Sequence, residues 1–477
     1  MVKEIFRNYD IRGIYGKTLL DEDAFLIGKT FGSVLVKKGA KNCAVGYDNR
    51  LSSIALFAKY RDGLLSTGID VINLGECLTP LVKFYVYEKK LDAGTSITAS
   101  HNSAEYNGFK LMLQNANSFF GDDILSLYDD IIKGDFVTGA GKIIKANDLL
   151  KLYMDFLSAR FDFKDKGFKV ALNCGNGTAS NFAPKILCDL GVEVVEINCV
   201  SDGSFPNGAP DPERRDFMQI LEERVVQEKC HLGFGLDGDS DRFGLVDENG
   251  VHYESDKLMM LLAKHFLPEY SGGLICCDIK CSSGLIKMID ALGGEGRIIK
   301  TGYPYHIPEA QGKALFSGEL SGHFFMGRKI GFYGLDDGII SACMMLKVYD
   351  VLSRNDGVLQ RKGFSDLMRE FPKLYHTAEV KINCVDEVKM SAIENIIEHA
   401  KKDVRVKDVL TIDGVRGTVS DIGWFLLRAS NTSPYIVTRV EGADQKEIDQ
   451  IKLLVAELLE LSGLPGDVIK DAPVYFS

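Results

Sequence analysis

Ser100 lies in the run Thr98-Ala99-Ser100-His101-Asn102, and Lys110 ends the run Tyr106-Asn107-Gly108-Phe109-Lys110 that follows almost at once. A hydroxyl between an imidazole and an amide, with an ammonium ten residues on, is suited to carrying a charged group that the lysine neutralises. Loop hydroxyls also cap helices and close local turns, so this run alone leaves both readings open. Asp237-Gly238-Asp239-Ser240-Asp241-Arg242 offers a second chemistry. Carboxylates at i, i+2 and i+4 point the same way on extended backbone, and Gly238 permits a turn that gathers their oxygens. Three hard oxygen donors suit Mg²⁺, which takes a few carboxylates and completes its shell with phosphate or water. The alternative is a solvated acidic turn, in which three like charges repel unless a cation sits among them. An EF-hand calcium loop fits less well, because Arg242 stands at the sixth position where that loop needs glycine.

Gly318-Glu319-Leu320-Ser321-Gly322-His323 sets an acceptor, a hydroxyl and an imidazole at alternating positions, on one side of an extended loop. That pattern suits a polyhydroxylated ligand; a polar loop with a glycine hinge accounts for it equally. Arg428-Ala429-Ser430-Asn431-Thr432-Ser433-Pro434 combines a guanidinium fork with hydroxyls and an amide, which can cradle phosphate or form a polar hairpin turn.

These runs need rigid elements to aim them. The small, β-prone residues 93–98 place Ser100 just past a strand, and apolar runs at 231–236 and 243–246 make the aspartate run a tight inter-strand loop. Strand-like and helix-like segments alternate at 42–47 and 54–66, 170–173 and 182–190, and 274–278 and 283–292. That rhythm predicts α/β architecture: three doubly wound mixed α/β domains. A charged segment at 162–167 leads into the second unit. A polar stretch at 353–362 followed by Phe371-Pro372 reads as a hinge before a smaller C-terminal α+β domain, with a helix at 391–402 and strands near Thr411, Trp424 and Tyr435.

Composition is that of an ordinary globular chain: 477 residues, 45% hydrophobic and 26% charged. The formal charge of -11 argues against nucleic acid and acidic membrane surfaces as partners, so an anionic ligand must be bound by local cations. The 11 cysteines show no framework spacing, and Cys276, Cys277 and Cys281 read as buried reduced thiols rather than half of a zinc knuckle. The start Met1-Val2-Lys3-Glu4-Ile5 carries no signal-peptide pattern and no apolar run reaches membrane length, so a cytoplasmic protein is expected.

The four runs in this order, with Tyr9-Asp10-Ile11-Arg12-Gly13 ahead of them, resemble the α-D-phosphohexomutase superfamily over nearly the whole chain. The Ser-Asn-Thr of the last loop and the hydrophobic residue after Glu319 are closer to its phosphomannomutase/phosphoglucomutase branch than to phosphoglucosamine mutases. The resemblance implies four domains around a central cleft: 1–150 bearing a phosphoserine, 151–252 a metal, 253–366 the sugar loop and 367–477 a phosphate loop. It implies that Ser100 carries a phosphoryl group whose oxygen joins Asp237, Asp239 and Asp241 around Mg²⁺. Three carboxylates and a phosphate sum to about -5, and the ion leaves about -3. Lys110, Arg12 and Arg242, with His101, make up the catalytic set that would face this charge. Tyr9, Lys280, Tyr303, Glu319, Ser321, His323, Arg428, Ser430, Asn431 and Thr432 would bind a hexose phosphate, turned over through a hexose 1,6-bisphosphate. Oligomeric state has no signature in the sequence.

Four positions depart from the family pattern. Ser103 replaces a proline, Ser433 a Glu or Thr, and Gly208-Ala209 a His-containing pair; Thr301-Gly302-Tyr303-Pro304 stands where Gly-His-Ser is usual. At the last, either Tyr303 packs as an aromatic wall, or its hydroxyl or His306 takes over the missing histidine's contact. The rival functions are a phosphoglucosamine mutase, a metal-dependent sugar phosphatase, and a silent sugar-phosphate-binding protein.

Overall fold

Ala93–Ile97 is built of small and β-branched residues and is buried throughout, which suits it to the middle of a sheet. The computed structural model, which describes residues 1–354, 361–430 and 435–470, places it there. The sheet runs Ile11–Ile14, Tyr106–Leu113, Ala93–Ile97, Asn42–Tyr47, Asp70–Glu76, Ile143–Lys145. Its strands are parallel from Ala93–Ile97 outward on one side and antiparallel at Tyr106–Leu113 and Ile11–Ile14. A second mixed sheet runs His252–Tyr253, Phe243–Asp247, Leu232–Leu236, Lys169–Asn173, Glu193–Ile197. A third runs Glu295–Ile299, Leu274–Asp278, Ala314–Gly318, Phe324–Met326. The C-terminal sheet is antiparallel in every pairing, centred on Trp424–Ala429 and Tyr435–Gly442. The α/β fold class read from the sequence is the one observed. Among the described residues no helix is long and apolar enough to cross a membrane, and buried cysteines such as Cys276, Cys277 and Cys281 are thiols rather than disulfides.

Each chemistry-bearing run sits at a strand end, and three of them link antiparallel strand pairs. The aspartate run joins the antiparallel pair Leu232–Leu236 and Phe243–Asp247. The Glu319 run joins Ala314–Gly318 and Phe324–Met326. The Arg428 run joins Trp424–Ala429 and Tyr435–Gly442. The aspartate run is a tight turn, as its flanking apolar runs predict, with Ser240 N–H donating to Asp237 O; the Glu319 run, expected as an extended loop, is sharply turned as well, Gly322 N–H donating to Glu319 O and Glu319 N–H to His323 O. The left-handed position in the aspartate turn is Ser240, with φ 65°. Gly238 serves close approach instead, since a Cβ there would lie 2.5 Å from the Ser100 carbonyl oxygen.

Leu81 and Val82 of helix Thr79–Glu88 share one apolar core with Leu172, Phe234 and Phe316 of the next two sheets, so the first three units are packed as a block. The C-terminal unit has its own core. It meets the block at Ile279, Trp424 and Leu426, where Arg416 donates to the Ile279 and Cys281 carbonyls at 2.6 and 2.7 Å. The apolar helix Gly338–Ser353 runs through the block, and Asp337 caps it by accepting from Ile340 N–H.

Asp337 is almost wholly buried. Burial raises its carboxyl to about 7 from an ordinary 3.8, although Ile340 N–H and the Tyr153 hydroxyl at 2.7 Å both work to lower it. The folded chain therefore holds a proton that the unfolded chain has lost between those two values, and stability falls as pH rises through that window. Asn keeps the cap without the charge. Wild type should lose stability relative to Asp337→Asn between about pH 4 and pH 7, read as the shift in urea midpoint of the first unfolding transition; a constant difference contradicts the assignment.

Candidate active site

Strand Ala93–Ile97 delivers Ser100 into a turn with φ 51°, left-handed for a residue that carries a Cβ. Such a backbone costs about 1–3 kcal/mol and persists only where its surroundings over-determine it. Ser100 N–H donates to Thr98 Oγ1 at 2.8 Å and Asn102 N–H to Ala99 O. The main restraint is Arg50, whose side chain is fully buried. Its Nη2 donates to the carbonyls of Ser100 and Asn102 at 2.8 and 2.6 Å, and its Nη1 to those of Ser103 and Tyr106 at 2.6 and 3.0 Å. Nε donates to Asp48, which is itself held by the Ser53 hydroxyl. One planar fork thus ties four carbonyls around the serine, and one of them belongs to the Ser103 that replaces a proline.

The Ser100 hydroxyl points at the aspartate turn and donates to Asp237 Oδ2 at 2.7 Å, with His101 Nδ1 3.2 Å away. Burial, then Arg242, Arg12 and Lys110, hold the His101 imidazole well below its usual range, so it is neutral. Asp237, Asp239 and Asp241 are buried and bring one oxygen each within 4.8 Å of the others. Lys110 Nζ bridges Asp239 and Asp241 at 2.7 and 2.6 Å, and the Thr79 hydroxyl donates to Asp239 at 2.6 Å. Burial alone would drive the proton from Lys110, but Asp239 and Asp241 override it and hold the ammonium well above its ordinary value. Burial works against Asp241 ionising too, yet Lys110, His323 and Lys83 bring its carboxyl down to about 2. Asp237 is pushed well above the carboxylate range, first by burial and then by its two acidic neighbours. Asp239 Oδ1 and Asp241 Oδ1 are buried with no hydrogen-bond donor among the described residues. Paired hard oxygens left without donors fit a divalent cation.

A cavity of about 540 Å³ opens in front of Ser100, lined from all four sheets' units. Of the residues singled out in the sequence it brings together Tyr9, Arg12, Ser100, His101, Lys110, Arg242, Lys280, Tyr303, Glu319, Ser321, His323, Arg428 and Ser430. Asn431 and Thr432 lie outside the described residues. At the Ser100 end, Arg12 donates to Asn102 Oδ1 at 2.7 Å and pairs with Asp10. At the opposite end Arg428 pairs with Asp413 at 3.2 Å and Lys280 with Glu379 at 3.3 Å. Glu319 and Ser321 stand between the two ends, 3.4 Å apart. Tyr303 packs as the wall: its ring lies 5.0 Å from Lys83 Nζ and 5.9 Å from Lys110 Nζ, and its hydroxyl donates to the Tyr9 carbonyl at 2.7 Å. His306 is fully buried behind the wall, bonded to Ser317 Oγ at 2.6 Å with Glu319 3.8 Å away; it does not line the cavity.

Cations at both ends of a polar cavity, and a hydroxyl against a cation-binding turn, suit one use above others: holding a phosphorylated ligand while its phosphoryl group moves. That places the protein among the phosphoryl-transfer enzymes. Four family models match in sequence order. They are phosphoglucomutase/phosphomannomutase alpha/beta/alpha domain I over residues 3–138, domain II over 151–250, domain III over 254–375 and the C-terminal domain over 379–458. The chain is 35% identical to the phosphomannomutase/phosphoglucomutase of Pseudomonas aeruginosa over 97% of both chains. It is 34% identical to the phosphoglucomutase of Neisseria gonorrhoeae over 95% of this chain and 96% of that one. A solved phosphoglucomutase/phosphomannomutase family protein from Burkholderia thailandensis superposes with a TM-score of 0.88 at 30% identity, covering 98% of this chain and 99% of that one. The chain belongs to the phosphoglucomutase/phosphomannomutase family, and it is a phosphohexomutase.

The sequence reading missed Arg50, Thr79, Lys83 and Lys381, all of them at or directly behind this site. Lys83 did leave a signal, as the one basic residue in the mostly apolar helix Thr79–Glu88. Arg50 left another, in an Asp-x-Arg pair directly after a strand. Two variants probe the geometry. Arg50→Lys keeps the charge but loses the fork, and should lower kcat about a hundredfold through displacement of Ser100 by about 1 Å; an unchanged kcat would show that the turn holds itself. Tyr303→Phe should leave kcat/KM within about twofold and lower stability by about 1 kcal/mol, the worth of one neutral hydrogen bond; a kinetic loss without a stability loss would return the hydroxyl to the substrate.

Proposed function

We propose that Ser100 carries the phosphoryl group and that the enzyme interconverts hexose 1- and 6-phosphates of glucose and mannose through the hexose 1,6-bisphosphate. The observation that carries this reading is the Ser100 hydroxyl 2.7 Å from Asp237, inside a buried carboxylate triad that Lys110 bridges. Asp237, Asp239 and Asp241 would hold Mg²⁺, which when bound supplies positive charge against the phosphoryl oxygens. Lys110, Arg12 and Arg242 face the same oxygens and offset the charge spread over them during transfer. The sugar's free hydroxyl attacks phosphorus, its proton passes to a neighbouring group, and the Ser100 oxygen leaves. Lys110, which bridges Asp239 and Asp241 beside the Asp237 that holds the Ser100 hydroxyl, would return a proton to that oxygen. The bisphosphate then turns end for end and its other phosphoryl group goes back to Ser100.

The turn-round explains a cavity with cations at both ends. Lys280, Arg428 and Ser430, with Lys381, Asn431 and Thr432, would grip the phosphate that is not reacting. Glu319 and Ser321 would hold the 3- and 4-hydroxyls in either orientation, and Tyr9 and Tyr303 close one side. The division into domains at residues 150, 252 and 366 is part of this reading; family matches that begin at 151 and 254 support the first two divisions.

Purified enzyme should show partial phosphate occupancy at Ser100 by intact mass, and Ser100→Ala should lose nearly all turnover of glucose 1-phosphate; full activity in that variant sinks the phosphoserine. Release of free phosphate at the rate of glucose 6-phosphate formation would indicate a phosphatase instead. Glucose and mannose 1-phosphates, which differ only at the 2-position, should be turned over within about tenfold of one another, a gap of about 1.4 kcal/mol. A preference above about a thousandfold would require a 2-position contact outside this account.

A further inference from the structure

Away from the cavity, the second unit holds two thiols in contact. Strands Lys169–Asn173 and Glu193–Ile197 are parallel neighbours, and Cys174 and Cys199 lie just past their ends. Cys199 Sγ is 3.2 Å from Cys174 Sγ, and the Leu172 and Ile197 carbonyls at 3.4 and 3.3 Å fix it there. Neighbouring strands lie about 4.8 Å apart, within the Cα separation of about 4.4–6.8 Å that a disulfide spans. Cys174 is wholly buried, whereas Cys199 is partly exposed and open to a small oxidant. The Cys174 thiol beside it brings Cys199 below its ordinary value, while burial raises Cys174. A partly exposed thiol next to a resolving thiol is the arrangement that oxidises selectively.

Each of the two loops braces one half of the active site. Past Cys174, Thr178 N–H donates to the Gly238 carbonyl at 3.1 Å, and a Cβ on Gly177 would lie 3.0 Å from Gly238 Cα. This loop supports the aspartate turn. Past Cys199, Ser201 Oγ accepts from Asn49 Nδ2 at 2.9 Å, Gly203 packs against the Asn49 carbonyl, and the Phe205 ring centroid lies 4.8 Å from the Arg50 guanidinium. This loop supports Arg50, which holds Ser100. Asn49 joins the two loops, its backbone N–H donating to Thr178 Oγ1 at 3.0 Å. A bond between the sulfurs would close their gap from 3.2 Å to about 2.05 Å and draw both supports with it.

We propose that Cys174 and Cys199 form a reversible disulfide under hydrogen peroxide, and that this bond slows phosphoryl transfer by shifting the loops that brace Ser100 and the aspartate turn. The Cys199 thiolate attacks peroxide: an S–O bond forms as the O–O bond breaks, and the departing hydroxide takes up the Cys199 proton as water. The Cys174 sulfur then attacks the Cys199 sulfur. An S–S bond replaces S–O, and the second hydroxide leaves with the Cys174 proton as water. Two thiols lose two electrons, and one peroxide becomes two waters. A dithiol restores both thiols by exchange.

Reduced full-length protein is treated with hydrogen peroxide, alkylated, digested and mapped by mass, with turnover of glucose 1-phosphate followed alongside. The expected result is a peptide pair joined through Cys174 and Cys199 and a fall in kcat of about tenfold or more. Dithiothreitol should reverse both. Cys199→Ser, which keeps the exposed Cys188, should hold its kcat before and after peroxide. Absence of the joined pair in wild type overturns the proposal, even where the variant fails to fold. A joined pair with unchanged kcat, a loss that dithiothreitol does not reverse, or equal inactivation of Cys199→Ser overturns it too. The joined pair is read by mass alone, so failure of the phosphoserine reading leaves that result standing.

Discussion

Three carboxylates from one hairpin turn, all buried, are the constraint on which the rest of this structure depends. Like charges so close destabilise one another unless cations are brought to them, and a buried cation is costly unless it meets a carboxylate. The chain meets both demands by drawing the cations from another sheet. Lys110 comes from strand Tyr106–Leu113 and Lys83 from helix Thr79–Glu88, both in the N-terminal unit. The charge balance therefore requires the first two units to pack as one block, and Thr79 adds a hydrogen bond to Asp239 across the same boundary. The shared apolar core of these units is the packing counterpart of that electrostatic demand.

The same junction explains where strain is placed. Ser100 needs its left-handed backbone to direct the hydroxyl at Asp237, and nothing in its own turn secures that conformation fully. Arg50 does so from beneath, through four carbonyls, while Gly238 lets the aspartate turn pass against the Ser100 carbonyl. The C-terminal unit stands apart from this block. It meets the block through the apolar contact of Ile279 with Trp424 and Leu426 and through polar pairs such as Arg439 with Glu254 and Ser283 with Glu441, each at 2.8 Å, and it lends Lys381 and Arg428 to the cavity.

The α/β rhythm, the four chemistry-bearing runs and their positions at strand ends were legible in the sequence because each is local: the residue types and their spacing lie within a few positions. The backbone of one run was not: an extended loop was expected at the Glu319 run, where Gly322, with φ 96°, closes a tight turn. In the aspartate run, whose tight turn was expected, the left-handed position fell to Ser240, a conformation that propensity assigns to glycine. Roles set by distant partners were also hidden. Lys83 meets Asp336 across 253 positions and the Tyr303 hydroxyl meets Tyr9 across 294, so no spacing rule links them. Of the two histidine substitutes weighed for the altered loop, His306 is directed into the core and Tyr303 spends its hydroxyl on the backbone. The loop's contribution to the cavity is therefore an aromatic face beside two ammonium groups.

On the proposed mechanism the aspartate turn collects a divalent cation that shares an oxygen of the Ser100 phosphate. Anomalous diffraction from crystals of the phosphorylated enzyme grown with Mn²⁺ tests it most directly. The account predicts a single strong peak bounded by oxygens of Asp237, Asp239, Asp241 and the Ser100 phosphate, with Lys110 drawn from its bridge toward the phosphate. A peak elsewhere, or none at saturating Mn²⁺ with Lys110 still bridging Asp239 and Asp241, would contradict it.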